Sequence, residues 1–222
     1  MDTNTNLKKD WQTVVYEGVA RKSQLVLKLF PLVYVGFIVA MTVGAYVNLA
    51  HSFLFETFYR LGKLCGEAAL GLLGVVIVPG ILGRLKIEIR ISRVITLFRR
   101  QLGITVFLLA LSHYMLLRLL PIAAGIFPFS LPVGFEVFGS IALFVLFALF
   151  VTSNNYSMRK LGLWWKRLHR FVYIAVGVLA LHTIFQKISP WSIFIGTLFI
   201  LEIISWGVYW FRQKSLNKSA SN

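Results

Sequence analysis

The chain has 222 residues, 58% hydrophobic and 14% charged, with a mean hydropathy of +0.76, which is too apolar for a water-soluble domain of this length. Its formal charge of +15 comes from 23 Lys and Arg against 8 Asp and Glu. These cations stand in clusters between apolar stretches, which excludes a nucleic-acid-binding domain and fits helix ends at a surface of anionic lipid headgroups.

The apolar stretches run for about 18 to 25 residues, enough to cross a hydrocarbon core of roughly 30 Å. The reading is an all-α membrane protein, a bundle of about six transmembrane helices. Residues 1–28 are polar, lack the apolar core of a signal peptide and read as a cytoplasmic N-terminal segment. The six-helix domain then covers 29–211. Its spans are expected at Leu29 to Ala50, Gly62 to Leu82, Leu102 to Phe127 (closed by Pro121 and Pro128), Leu131 to Thr152, Arg170 to Gln186 and Trp191 to Trp210. Residues 212–222 read as a cytoplasmic tail, disordered from Lys214 onward.

Lys and Arg set the expected orientation. All but Arg60, Lys63, Arg118 and Lys187 fall before the first span, in the second and fourth connections or in the tail. Both termini are therefore expected in the cytoplasm, as the ends of a multi-pass protein. Segments 84–101 and 152–170 mix these cations with Ile89, Ile91, Val94, Leu163, Trp164 and Trp165, as amphipathic helices lying in the headgroup layer do. Either serves as an anchor for its loop or as a docking surface. The single cysteine, Cys65, permits no intrachain disulfide and no C-x-x-C-H attachment of covalent haem.

Ionisable groups at membrane depth are costly and are usually functional. His113 lies 13 residues beyond Arg100 and His182 lies 12 beyond Arg170, so both sit ~18 to 20 Å inside the same membrane edge at ~1.5 Å per residue. The third and fifth spans run in one direction. Two imidazoles at equal depth can then meet across a gap that takes a flat macrocycle, giving a six-coordinate haem iron suited to electron transfer. Zinc would need more ligands, and no Cys, Asp or Glu is near.

His169 stands at the mouth of the fifth span. A second haem there would need a partner on the third span, where only Arg99 and Arg100 stand. Its open roles are a contact to a haem propionate, a flavin phosphate or a quinone oxygen with Arg99 or Arg100 adding positive charge, or simply an interfacial histidine. His51 reads as interfacial. Gly66, Gly71, Gly74, Gly134 and Gly139 read as sites of close helix approach. Glu67, Glu136 and Glu202 read as lying near span ends, which counts against a small transporter without haem, since that needs a charged relay at mid-membrane.

The run Arg99-Arg100-Gln101-Leu102-Gly103 leading to His113 resembles the ferric-reductase-like transmembrane family. So does the run Thr152-Ser153, Arg159-Lys160-Leu161-Gly162, Trp165, Leu168-His169-Arg170, Tyr173 and His182. The likeness spans roughly Gly62 to Trp210, and within the family it points to the haem-binding membrane subunits of bacterial periplasmic methionine sulfoxide reductase systems. It implies haem b (one, or two), with His113 and His182 as axial ligands and His169 as a third haem-linked histidine. It also implies a place in a bacterial inner membrane and electron delivery from a quinol, FMN or flavin reductase on the cytoplasmic side to a periplasmic oxidoreductase. NADPH oxidases and eukaryotic ferric reductases share this core but carry two histidines on the third helix. Here Arg100 stands in the place of the first. A metal-reductase-type cytochrome is the alternative within the family. No Gly-rich dinucleotide fingerprint is present, so electrons are expected from a quinol, a bound flavin or a partner. Residues His169, Arg100, Arg99 and Trp165 are the candidate cofactor contacts, and His113, His182 and His169 the candidate metal ligands.

Overall fold

The computed structural model describes residues 11–50, 55–87, 89–132 and 134–220, and every regular element among them is helical. The long helices are α1 (Trp11–Ala50), α2 (Phe55–Leu85), α3 (Arg90–Tyr114), α5 (Phe135–Val151), α8 (Phe171–Gln186) and α9 (Pro190–Ala220). A π-helical turn, Met115–Leu119, carries α3 into the short α4 (Leu120–Ala123), while α6 (Asn155–Leu161) and α7 (Leu163–His169) link α5 to α8. Runs of Leu, Ile, Val and Phe with few charges form helices here because lipid offers the backbone no hydrogen bonds, so each span must satisfy its own. Among the described residues five helical spans are long and apolar enough to cross a membrane, and α5 with α6 makes a sixth when the bent pair is counted.

Two antiparallel pairs organise the bundle. Gly62 near the start of α2 meets Leu116 and Leu117 beyond the end of α3, and Gly139 near the start of α5 meets His182 near the end of α8. Helix α9 packs beside both α2 and α8, with Phe194 against Gly74 and Phe199 against Gly177. In consequence α3 and α8 run in the same direction. The core between the helices is aliphatic, centred on Leu73, Ile77, Val106, Val176 and Ile195. Helix α1 leans mainly on α3, through Phe30 against Phe98 at 6.4 Å and the Tyr34 hydroxyl donating to Gln101 O at 2.9 Å, and touches α2 where Phe58 meets Gly44.

Several boundaries differ from the sequence reading. Segment 84–101 is no surface helix: Arg84 lies in the last turn of α2, residues from Arg90 already belong to α3, and Lys86 turns the short connection at φ 60°. The charges of this segment are an extension of two spans, which periodicity alone does not separate from an amphipathic loop. Segment 152–170 does break away, since α6 is turned 91° from α5. Asn154 caps α6 by accepting from Ser157 N at 2.8 Å, and Gly162 at φ 51° joins α6 to α7. The tail from Lys214 continues α9 to Ala220 instead of being disordered. His51 lies outside the described residues.

Glu202 and Arg84 also stand elsewhere than expected. Glu202 is 2% exposed and sits well inside α9, not near its end. Arg84 Nη2 donates to its Oε1 at 2.5 Å, Nε to Ser205 Oγ at 2.9 Å and Nη1 to the Tyr173 hydroxyl at 3.3 Å. The rings of Tyr173 and Trp206 lie 5.0 and 4.9 Å from the guanidinium carbon. One guanidinium thus ties α2, α8 and α9 together, in a medium where packing and polar contacts, rather than water, drive helix association. Removing one partner of a buried ion pair strands the other charge, at a cost of about 3 to 5 kcal/mol, whereas replacing both with apolar residues is near neutral. Arg84→Met is therefore expected to lower thermal stability in detergent by about that amount, and adding Glu202→Leu to the same chain should recover most of it.

Candidate functional site

His113 closes α3 and His182 lies in the last turn and a half of α8. Their ring centres are 6.5 Å apart with planes at 88°. Each ring is anchored in the same way on the opposite helix of its antiparallel pair. His113 Nδ1 lies 2.9 Å from Gly62 O on α2, and His182 Nδ1 lies 2.8 Å from Phe135 O on α5. A carbonyl oxygen only accepts, so in each ring Nδ1 carries the proton and the bare nitrogen is Nε2.

The glycines explain how the rings reach these carbonyls. In an α-helix the carbonyl of residue i is covered by residue i+4, whose N–H it accepts. Four residues beyond Gly62 stands Gly66, and four beyond Phe135 stands Gly139. A Cβ at Gly66 would lie 2.5 Å from His113 Nδ1, and one at Gly139 would lie 2.8 Å from His182 Nδ1. These two glycines make room for imidazoles, a role more specific than the close helix approach expected from the sequence.

Two cavities flank the pair. One, of about 250 Å³, is lined by Leu143, Phe135, Gly139, Tyr114 and Arg118, and the other, of about 440 Å³, by Gly66, Leu70, Leu73, Lys63 and Lys187; both histidines line each. Two imidazoles on opposite sides of one metal ion, with metal–nitrogen bonds of ~2.0–2.1 Å, have ring centres ~6.3 Å apart. The observed spacing suits a single ion. No group of three or more His, Cys, Asp or Glu occurs among the described residues, so an ion there would have to bring its other ligands with it.

The remaining candidate residues gather at the other end of α3 and α8. His169, Arg99, Arg100 and Trp165 all line a third cavity of about 480 Å³, together with Lys166 and Arg170. Trp165 stacks on His169 with ring centres 4.1 Å apart and donates from Nε1 to Thr152 O at 2.9 Å. The Thr152 hydroxyl donates to Ala148 O at 2.8 Å, so the 3.2 Å contact to His169 Nε2 is a bond in which the ring donates. His169 is thus held by the nitrogen that His113 and His182 leave bare. Arg100 is turned aside to Asn155 Oδ1 at 2.6 Å. No histidine of α3 lines this cavity. His169 lines this cavity and neither of the two beside His113, whereas His182 lines those two and not this one.

The sequence profile of the family described as ferric reductase like transmembrane component matches residues 65–180, over half of the chain. The chain belongs to that family. Curated relatives agree. A 97-residue stretch is 36% identical to the protein-methionine-sulfoxide reductase heme-binding subunit MsrQ of Brucella anthropi, covering 42% of this chain and 44% of the relative. The subunits of the same name in Brucella ovis and Brucella suis are 35% identical over the same lengths. The matched stretch thus spans less than half of each relative. A comparison with solved structures gives no significant match.

Residues missed in the sequence are the supporting ones, Gly62, Phe135, Thr152 and Arg118. The first two act through backbone carbonyls, which no residue type signals, although a glycine four positions on is a usable mark. If the anchoring is as described, ¹⁵N NMR of histidine-labelled protein in detergent should show His113 and His182 protonated at Nδ1 and bare at Nε2. Gly66→Ala should abolish that signature for His113 only and Gly139→Ala for His182 only. Gly103→Ala, whose Cβ would meet nothing within 4 Å, should change neither.

Proposed function

We propose that this chain carries electrons across a membrane through one b-type haem held between His113 and His182. The observation that carries the reading is the pair of imidazoles 6.5 Å apart, each with Nδ1 tied to a backbone carbonyl and Nε2 left for a metal. The site fits haem on three counts. The spacing matches two imidazoles that would share one ion, the remaining ligands would be those a porphyrin supplies, and the cavities on either side of the pair would give a flat ring room. When bound, haem supplies a one-electron iron couple whose potential depends on axial ligands and burial. His113 and His182 would hold the iron through Nε2, and the carbonyls of Gly62 and Phe135 would fix the ring planes and raise the basicity of those nitrogens. The names of the MsrQ relatives, heme-binding subunits of a methionine sulfoxide reductase, support the cofactor.

The cavity at His169 is the proposed entry for electrons. It is lined by Arg99, Arg100, Lys166 and Arg170 with no acidic side chain among its described lining residues, and it carries a stacked Trp165–His169 pair. Such a lining suits a planar, electron-rich donor with anionic or carbonyl oxygens, a quinol or an FMN-type flavin. Leu73, Val106 and Leu146 line both this cavity and the larger one beside the histidine pair, so a single aliphatic layer separates entry from haem. The positive-inside distribution supports placing His169 on the cytoplasmic side of a bacterial inner membrane. The acceptor on the other face is then a periplasmic oxidoreductase, with a methionine sulfoxide reductase as the leading candidate. The transporter reading loses further ground because Glu202, the carboxylate deepest in the bundle, is committed to Arg84.

Pyridine haemochrome quantitation with an optical spectrum tests the reading. The wild type should hold one low-spin haem per chain. His113→Ala and His182→Ala should each lose that spectrum, and His169→Ala should keep it. Two haems per chain would refute the single-site reading, and purified protein with neither Soret band nor iron would refute it altogether.

A further inference from the structure

The cavities on the two sides of His113 and His182 have the same polarity gradient. Toward the Arg99 end they are walled by Leu73, Val106, Leu143 and Leu146, and toward the opposite end by charged groups, Arg118 with Glu136 in the smaller cavity and Lys63 and Lys187 with Glu67 in the larger, so that cations outnumber carboxylates across the pair. Arg118 reaches this position because of the helix it stands on. Five residues along a regular α-helix turn a side chain ~140° away from its starting face. The π turn at Met115–Leu119 is closed by wider i to i+5 bonds and brings the fifth residue back toward that face. His113 and Arg118 accordingly line the same cavity.

The guanidinium is only partly engaged. Arg118 Nη2 donates to Ser130 O at 2.6 Å and Ser130 Oγ at 2.9 Å, and Nη1 lies 3.5 Å from Glu136 Oε1. Nε makes no hydrogen bond among the described residues. A π turn costs helix geometry, and such turns concentrate at functional sites. An arginine delivered by one beside an apolar slot is suited to a carboxylate, which it meets with a planar fork of donors.

We infer that Arg118 binds a carboxylate of the group held by His113 and His182, and that this group lies with its carboxylate edge toward Arg118, Lys63 and Lys187. The inference rests on the haem reading above and adds the orientation of the macrocycle and the residue that sets it. Its hydrocarbon edge then faces the aliphatic layer of Leu73, Val106 and Leu146, on the side of the His169 cavity.

The test is a titration of the haem-free chain in detergent with haemin and with haemin dimethyl ester, whose carboxylates are blocked, followed by the Soret band. The wild type should bind the free diacid more tightly, by about ten- to a hundredfold, the worth of a hydrogen bond to a charged group. Arg118→Gln should weaken binding of the diacid by a similar factor and leave the ester unaffected. Arg118→Lys should fall between. Equal affinity of the wild type for diacid and ester, or an Arg118→Gln loss that is the same for both, would overturn the inference while leaving the histidine ligation intact. The wild-type comparison needs no variant to fold. Absence of a low-spin spectrum with either porphyrin, or its persistence in His113→Ala and His182→Ala, would instead remove the haem reading and this inference with it.

Discussion

The site depends on a hydrogen bond between an imidazole and a backbone carbonyl that is already serving its own helix. In lipid an unsatisfied N–H is expensive, because no water stands ready to replace a missing partner. A histidine that presents Nε2 to a metal must place its Nδ1–H somewhere. Here it goes to a second lone pair on a helical carbonyl, and that is possible only where the covering residue has no side chain. Gly66 over Gly62 and Gly139 over Phe135 repeat this solution on two unrelated helices. The result is a pair of rings fixed in tautomer, tilt and separation before any ligand arrives.

This constraint also orders the rest of the bundle. The imidazoles must come from helices that run the same way and reach the same height, and their anchors from helices that run the opposite way. Helices α2 and α5 are those anchors, so each histidine is held by its antiparallel neighbour while it faces its parallel one. Helix α9 braces α2 and α8 from behind with the Arg84 and Glu202 pair. Helix α1 stands apart from this arrangement, and its apolar face is largely exposed.

Much of the fold was legible because membrane helices announce themselves by length and by the cations at their ends. Counting from Arg100 and Arg170 along helices of fixed rise gave one height for His113 and His182, and the structure brings their ring centres to 6.5 Å of each other. What could not be read was governed by direction around a helix and by backbone atoms. Arg84 counts as a loop cation in a tally of charges, yet its side chain turns inward to Glu202. Arg118 reads as a rim cation until the π turn, invisible in the residue types Met-Leu-Leu-Arg-Leu, rotates it into the cavity.

The layer formed by Leu73, Val106 and Leu146 between the His169 cavity and the histidine pair has a consequence for the energy of the membrane it sits in. Electrons tunnel through a few ångströms of hydrocarbon, but protons migrate only along a chain of donors and acceptors, and three aliphatic side chains provide none. A wall of this composition conducts one carrier and insulates against the other. Charge moved across it works with or against the transmembrane voltage, at roughly 2.3 kcal/mol per charge for each 100 mV, without opening a leak that would dissipate the gradient.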